Sequence, residues 1–260
     1  MGDQTVLDAK PLGIIAAMAE EAEGLIAEMR AHPRATVIAL GGRDFYAGTL
    51  WDRSCVLTLA RIGKVASATT AAAMIHHFDV GGIVFTGVAG GVAQHVKVGD
   101  VVIADALMQH DLDASPIFPR YEVPLLGIAR FKTDADLNAR LAVAVGDFLA
   151  QDVPKLPETI RSAFGLKAPS LHRGLIASGD RFINSSAAIL ALRSELPETL
   201  AIEMEGAAVA QVCHDYRVPC AVMRTVSDGA DDAAHVDFPA FLRNVASAYS
   251  FGVVRRFLSS

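Results

Sequence analysis

Short apolar segments alternate along the chain with longer segments in which apolar residues recur every three or four positions. Runs of strand length, most of them bounded by glycine, proline or charged residues, predict strands. They cover residues 12–18, 36–40, 45–51, 55–60, 81–91, 98–108, 172–180, 199–205 and 218–228. Helical spacing or a high alanine content predicts helices over residues 19–30, 65–78, 133–150, 186–196, 206–216 and 238–258.

This alternation predicts an α/β fold in which helices cover both faces of a largely parallel sheet, giving three layers. The early run of short strands makes the sheet mixed. We expect one domain over residues 1–260, because no interior linker or repeat interrupts the pattern. Residues 1–10 are interpreted as an N-terminal extension, and residues 152–171, with three prolines, as a surface insertion.

Composition excludes several classes of protein. Hydrophobic residues make up 52% of the chain and charged residues 20%, which excludes disorder. A net charge of −6 argues against nucleic acid as the partner. The three cysteines lack a CxxC spacing, so we expect neither disulfides nor structural zinc. No apolar run reaches the length of a membrane helix, and we expect a cytoplasmic protein without a membrane partner.

Polar residues follow the predicted strands at four places. Ligands of open α/β sheets bind beyond the carboxyl ends of the strands, so these places are the candidates for a site. They are Glu20 and Glu21, residues 86–91, Glu203 with Glu205, and residues 224–228. The segment 86–91 does not form a GxGxxG motif, which argues against a dinucleotide.

Each candidate also has a structural interpretation. Strand periodicity places Glu203 and Glu205 on one face with Met204 opposite, yet both acids could instead complement the dipole of the following helix. Asp228 before glycine could face a ligand or form an Asx turn. His110 and the acids beside it fit a polar loop better than a metal site. We expect no metal, no cofactor and no covalent nucleophile.

Seven segments together resemble the family of 5′-methylthioadenosine/S-adenosylhomocysteine nucleosidases, a branch of the purine nucleoside phosphorylase superfamily. These segments lie in the family's order and span nearly the whole chain. They are GIIAAMAEEAEGL (13–25), LGGRDFYAGTL (40–50), RIGKVASA (61–68), FTGVAGGVAQHVKVGDVVIAD (85–105), RGLIASGDRFIN (173–184), AIEMEGAAVAQVCH (201–214) and VMRTVSDGAD (222–231). The resemblance implies the nucleoside phosphorylase-like form of the α/β fold.

The resemblance also implies roles for individual residues. Glu21 matches the general base that activates water, and Asp228 matches the acid at N7 of adenine. Glu205 matches the residue on the ribose hydroxyls, with Met204 beside it. The remaining positions that it implies are Phe182 stacked on the base, Ile183 at the purine edge, Arg224 and Ser227 beside the base and the water, Gly90 at the ribose-side turn, and Glu203, Met18, Ile62 and Phe238 as further substrate contacts.

The implied reaction is hydrolysis of 5′-methylthioadenosine, S-adenosylhomocysteine or both, with release of adenine and a thioribose, as in methionine salvage. Two positions depart from the family pattern: Val88 replaces a serine, so a hydroxyl near the ribose and the water is missing, and Arg61 replaces a small residue. Arg61 keeps a phosphorylase as the alternative. Arg43 could then help to bind phosphate, since arginine binds oxyanions well. Another 5′-substituted adenosine as substrate and a nucleoside-binding sensor are further alternatives.

The family also implies a homodimer. In it, the apolar, proline-rich segment 112–128 is expected at the subunit interface or over the active site.

Overall fold

The structure is a computed structural model that describes residues 10–230 and 234–260, except for the side chains of His235 and Val236. The predicted N-terminal extension, apart from Lys10, therefore lies outside the described residues. None of the helices in the described part is long and apolar enough to cross a membrane.

Eleven strands form the sheet of the described chain. They are β1 (Leu12–Ala16), β2 (Thr36–Leu40), β3 (Arg43–Leu50), β4 (Arg53–Leu59), β5 (Gly82–Phe85), β6 (Val88–Gly91), β7 (Val101–Gln109), β8 (Phe131–Lys132), β9 (Leu171–Ser178), β10 (Thr199–Glu203) and β11 (Cys220–Asp228). Pairing runs β2-β3-β4-β1-β5-β11 and on through β6-β10-β9-β7-β8. A further pairing of β7 with β11 closes β11, β6, β10, β9 and β7 into a ring.

The helices pack on both faces of this sheet. They are α1 (Ala19–Ala31), α2 (Lys64–Phe78), α3 (Ala135–Gln151), α4 (Glu158–Ala163), α5 (Ser186–Glu195), α6 (Gly206–Tyr216), α7 (Ala234–Phe241) and α8 (Ser247–Leu258). Ile14 of β1 packs in the core cluster that holds buried residues of α1, α3 and α8, whereas Ile15 packs in the cluster with α2 and α6. Neighbouring strand residues point to opposite faces, so the predicted three-layer, mixed α/β fold is confirmed.

The segment predicted as one strand over 81–91 is two strands, interrupted at Thr86 and Gly87. The register against β11 continues across the interruption, from Phe85 beside Val222 to Val88 beside Thr225. Its other edge changes partner, from parallel β1 to antiparallel β10. The interruption arises because no single neighbouring strand lies along this edge.

The C-terminal helix also differs from its prediction over 238–258. Helical structure is present from Ala234, and residues Leu242–Ala246 form a π-helical turn between α7 and α8. The side-chain amide of Asn244 donates to the carbonyl of Ala240, 2.7 Å away. An α-helix would give that carbonyl to the backbone N–H of Asn244, so this bond competes with regular α-helical pairing.

Residues 152–171, interpreted as a surface insertion, contain a 3-10 turn over Val153–Lys155 and the short helix α4. Most of the segment is exposed. Val153 and Leu166 are nevertheless buried in the core cluster that contains α3 and α8, so its two ends are packed against the domain.

Candidate active site

A cavity of about 340 Å³ lies where β1 and β10 diverge on either side of Thr86–Gly87. The carboxyl ends of β1, β10 and β11 all reach it, as expected for a ligand site in an α/β sheet. Its lining consists of Ala17, Met18, Glu21, Ile62, Val88, Ala89, Gly90, Arg181, Phe182, Ile183, Ile202, Glu203, Met204, Glu205, Asp228 and Phe238.

Most residues that the sequence suggested for a site lie in this lining. Among the residues to which the resemblance assigns roles, the exceptions are Arg224 and Ser227, which are fully buried in β11 and contact the carboxylates of Glu203 and Asp228. Ala17, Arg181 and Ile202 line the cavity without having been suggested, and Ala89 lies in the candidate segment 86–91. Each of these residues is adjacent in the sequence to a residue that had been suggested. That adjacency is the feature from which they could have been predicted.

Glu21 lies in the first turn of α1 and is almost completely buried. Its Oε2 accepts hydrogen bonds from the N–H groups of Ala17 and Met18, at 2.8 and 2.9 Å, and its Oε1 accepts one from Val88, at 3.0 Å. Burial raises the pKa of Glu21, although nearby Arg224 and these N–H groups act in the opposite direction. A raised pKa makes the carboxylate at this cavity wall a stronger base.

Gly87 leaves room for this carboxylate. A Cβ atom at position 87 would lie 2.8 Å from Oε1 of Glu21, closer than carbon and oxygen can approach without displacement. The interruption between β5 and β6 therefore brings backbone close to the Glu21 carboxylate at a place that excludes a side chain.

Glu203 forms a buried ion pair beneath the cavity. Its Oε2 lies 2.7 Å from Nη2 of Arg224, and both side chains are almost inaccessible to solvent. The carboxylate also accepts hydrogen bonds from the Ser178 hydroxyl and from the N–H groups of Glu205 and Gly206. Glu203 thus neutralises Arg224 and caps α6, which is the helix-start interpretation of this acid.

Glu205 does not continue the strand, and this corrects the predicted alternation. The strand ends at Glu203, Glu205 is the N-cap residue of α6, and Met204 lines the same cavity instead of facing away. Oε1 of Glu205 accepts a hydrogen bond from the N–H of Gly63, 2.8 Å away. Burial and the neighbouring Glu203 carboxylate raise the pKa of Glu205 to about 8. The strand alternation ends at Glu203 because α6 begins at Gly206, so the chain turns between these two residues.

Asp228 ends β11 with both carboxylate oxygens engaged. Oδ1 accepts from the N–H of Ala230 at 2.8 Å, which is an Asx-type turn, and Oδ2 accepts from the Ser227 hydroxyl at 2.7 Å. The residue also lines the cavity. The two interpretations of this aspartate are therefore compatible, because the turn holds the carboxyl group in place.

Apolar side chains surround the cavity mouth. The rings of Phe182 and Phe238 meet edge to face with centroids 5.6 Å apart. Ile62 and Phe182 are 56% and 45% exposed, which is unusual for large apolar residues and indicates a surface that a ligand or partner covers.

A charged network ties together the segments that carry these residues. The Asp180 carboxylate accepts from the backbone N–H of Lys64, at 2.8 Å, and Nζ of Lys64 lies 2.6 Å from Asp111. Asp111 in turn accepts from the N–H of Asp180. Asp111 therefore has a structural role in the loop, and the described residues contain no cluster of three metal-ligating side chains.

The raised pKa of Glu205 predicts how stability changes with pH. The folded chain binds this proton more tightly than the unfolded chain, so the contribution favours folding at low pH and is lost as pH rises from about 4.5 towards about 8. Chemical unfolding of wild type and Glu205→Gln across this range should show the wild type losing stability relative to the variant. The same substitution at exposed Glu28 is the control, and a constant difference across the range would contradict the prediction.

Comparisons with known proteins agree with this geometry. The sequence model described as the phosphorylase superfamily matches residues 11–259. Among solved structures, a 5′-methylthioadenosine/S-adenosylhomocysteine nucleosidase from Neisseria meningitidis, in complex with methylthio-immucillin-A, is 34% identical. The alignment covers 96% of this chain and 99% of that one, with a TM-score of 0.83.

Two further structures are similar to the same degree. The corresponding nucleosidase from S. pneumoniae, with a transition-state inhibitor, is 33% identical over 96% of this chain and 98% of that one, with a TM-score of 0.80. A futalosine hydrolase mutant from Helicobacter pylori is 32% identical over 95% and 98% of the two chains, also with a TM-score of 0.80.

The family match extends over almost the whole chain, and these relatives are hydrolases with one fold. In this chain, several carboxyl groups line one cavity, and apolar side chains surround its mouth. The chain therefore belongs to the phosphorylase superfamily, in the branch of N-glycosidic hydrolases that contains the 5′-methylthioadenosine/S-adenosylhomocysteine nucleosidases.

Proposed function

We propose that this chain hydrolyses the N-glycosidic bond of 5′-methylthioadenosine, S-adenosylhomocysteine or both, and releases adenine and a 5-thioribose. The observation that carries the proposal is the placement of two carboxyl groups, Glu21 and Asp228, on the lining of one cavity. The relatives with structures include enzymes named for both nucleosides.

Glu21 acts as the base in this mechanism. Its Oε1 accepts one hydrogen bond from Val88, and a carboxylate oxygen can accept two. A water molecule that donates to the remaining position loses its proton to Glu21 as it attacks the anomeric carbon. Burial raises the pKa of Glu21, which strengthens it as the base for this step.

Asp228 stabilises the leaving base. Cleavage places negative charge on the adenine ring, and a protonated carboxyl group beside N7 neutralises it. Ser227 and the N–H of Ala230 hold the carboxyl group at the cavity wall. The aromatic side chain of Phe182 provides the stacking surface for the purine, while the backbone of Ile183 reads the purine edge.

The sugar lies between these two groups in the proposed complex. Glu205 accepts hydrogen bonds from the ribose hydroxyls, with Met204 and the turn at Gly90 beside the ring. Because Arg224 donates to Glu203 and to two backbone carbonyls, it acts from beneath the site by fixing Glu203. Met18, Ile62 and Phe238 form the apolar wall around the 5′ substituent.

Homodimer formation is also part of the proposal. Ile117 and Leu125 in the segment 112–128 are 81% and 93% exposed, and Ile62 and Phe182 at the cavity mouth are exposed as well. A second copy that covers these apolar side chains would complete the binding site. No cofactor or metal is required for any step.

Phosphate should not accelerate the reaction, and the sugar product should be free thioribose. The backbone beside the Glu21 carboxylate belongs to Gly87 and Val88, neither of which has a hydroxyl or a cationic side chain, and the guanidinium of Arg224 is engaged by Glu203. The measurement is adenine release from 5′-methylthioadenosine with and without phosphate, together with mass spectrometry of the sugar. A ribose 1-phosphate product would make the chain a phosphorylase.

A purine nucleoside with another 5′ substituent is the second candidate substrate. It is favoured by the similarity to the futalosine hydrolase structure, which equals the similarity to the S. pneumoniae nucleosidase in TM-score. Rates for 5′-methylthioadenosine, S-adenosylhomocysteine and futalosine under the same conditions distinguish these substrates.

A further inference from the structure

Arg61 has an unusual backbone conformation at the edge of the cavity. It follows β4, and its N–H donates to the carbonyl of Ala17, a lining residue, at 3.0 Å. The next residue, Ile62, lines the mouth. Arg61 adopts a φ of 67°, in the left-handed region that glycine occupies freely and arginine rarely does. A long charged side chain therefore occupies a position at which the backbone favours glycine.

The guanidinium of Arg61 lies beside a second cation. It donates to the carbonyl of Gly42, in the turn between β2 and β3, and the charge of neighbouring Arg43 is close enough for the two groups to interact. Within the described ranges 10–230 and 234–260, neither arginine forms an ion pair with a carboxylate.

The two arginines differ in how their donors are used. Arg43 donates to the carbonyls of Gly41, Ala60 and Ala66, so it is fixed to the backbone. Arg61 is exposed and makes one side-chain hydrogen bond to the described chain, whereas a guanidinium carries five N–H donors. Arg61 therefore has N–H donors that the described chain does not use, and they lie next to the fixed positive charge of Arg43. An anion bound there would offset the two positive charges.

We propose that Arg61, supported by Arg43, binds an oxyanion at the far end of the 5′ substituent of the nucleoside. The inference rests on the proposed function, because it assigns the 5′ substituent to the mouth at Ile62. The apolar wall accommodates the carbon and sulfur atoms of that substituent, and an arginine beyond it can bind a carboxylate through two parallel hydrogen bonds. Arg61 would then favour substrates whose 5′ group ends in a carboxylate over neutral ones of equal length.

The test uses two synthetic adenosines with 5′-alkylthio chains of equal length, one ending in a carboxylate and one in a methyl ester. For each enzyme, the ratio of kcat/KM for the acid to kcat/KM for the ester is measured. Arg61→Gly should lower this ratio about tenfold, by raising KM for the acid. High salt should lower the wild-type ratio, because it screens exposed charges.

The matched control is Arg217→Gly. Arg217 is also exposed and also left-handed, with a φ of 55°, but it ends α6 just before the amino end of β11, opposite the cavity. Both variants remove one positive charge and place glycine where the backbone favours it, so both should fold. Arg217→Gly should leave the ratio unchanged.

The outcomes separate the two proposals. If wild type cleaves the ester and Arg61→Gly leaves the ratio unchanged, the role proposed for Arg61 is wrong and the proposed function stands. The same conclusion follows if Arg61→Gly and Arg217→Gly lower the ratio equally. If wild type cleaves neither compound nor 5′-methylthioadenosine, the proposed function fails and this inference fails with it. If added phosphate accelerates cleavage and Arg61→Gly abolishes that effect, the arginine pair binds free phosphate and the assignment to the 5′ substituent is wrong.

Discussion

Asp228→Asn should lower the rate of base release by a factor of about 10²–10⁴ while nucleoside binding stays within about tenfold of wild type. The amide has the shape of the carboxyl group but cannot transfer a proton to the departing adenine. The measurements are single-turnover adenine release and the Kd of a non-hydrolysable nucleoside analogue.

The hydrogen bonds around Asp228 make this variant a clean test. The amide oxygen can accept from the N–H of Ala230, as Oδ1 does now, while the amide nitrogen donates to the Ser227 hydroxyl. That hydroxyl can turn its own proton to the carbonyl of Ala89, 3.3 Å away. The variant therefore keeps these contacts and should unfold at nearly the wild-type temperature. Near-normal turnover would remove Asp228 from the role of acid.

Glu21→Gln should also reduce turnover by orders of magnitude, because an amide cannot accept a proton from water. Glu20→Gln is the matched control. Adjacent helix residues point about 100° apart, and in the structure Glu20 is exposed while Glu21 is buried against the cavity. Glu20→Gln should leave both turnover and stability close to wild type.

The stability of Glu21→Gln has to be measured beside its rate. The carboxylate accepts three backbone N–H groups, from Ala17, Met18 and Val88, through both oxygens. A glutamine oxygen can serve only one side, which leaves a donor facing a donor at the other, with a cost of about 1–3 kcal/mol that removal of a buried charge offsets in part. Equal, small effects of both substitutions on turnover would make Glu21 a structural residue.

If Glu21 proves to be a structural residue, Glu203 is a poor alternative as the general base. Its carboxylate is paired with Arg224 and accepts hydrogen bonds from the Ser178 hydroxyl and from two N–H groups of the helix start. An acid held this way stabilises the fold and has little remaining capacity to accept a hydrogen bond from a water molecule. Loss of activity in Glu203→Gln would accordingly be accompanied by a large loss of stability, because Arg224 would be left buried without its partner.

The layered α/β architecture and most of the positions at the cavity could be predicted from the amino-acid sequence. Apolar strands that alternate with helices have few ways to bury both faces of a sheet, so the periodicity was enough to predict the three layers. Polar residues directly after strands were predictable for the same reason: the carboxyl ends of parallel strands meet at one edge. Glu21 and Asp228 could be found in this way.

The position of the cavity and the environment of each acid depend on long-range packing, which periodicity does not reveal. One segment pairs with β1 along its first half and with β10 along its second, and the divergence of those two strands opens the cavity. Glu203 and Glu205 look equivalent in the sequence, yet one is neutralised by Arg224 and the other accepts from Gly63. These partners lie on other elements, Arg224 on β11 and Gly63 before α2, and charge, burial and pKa depend on such neighbours and not on local spacing.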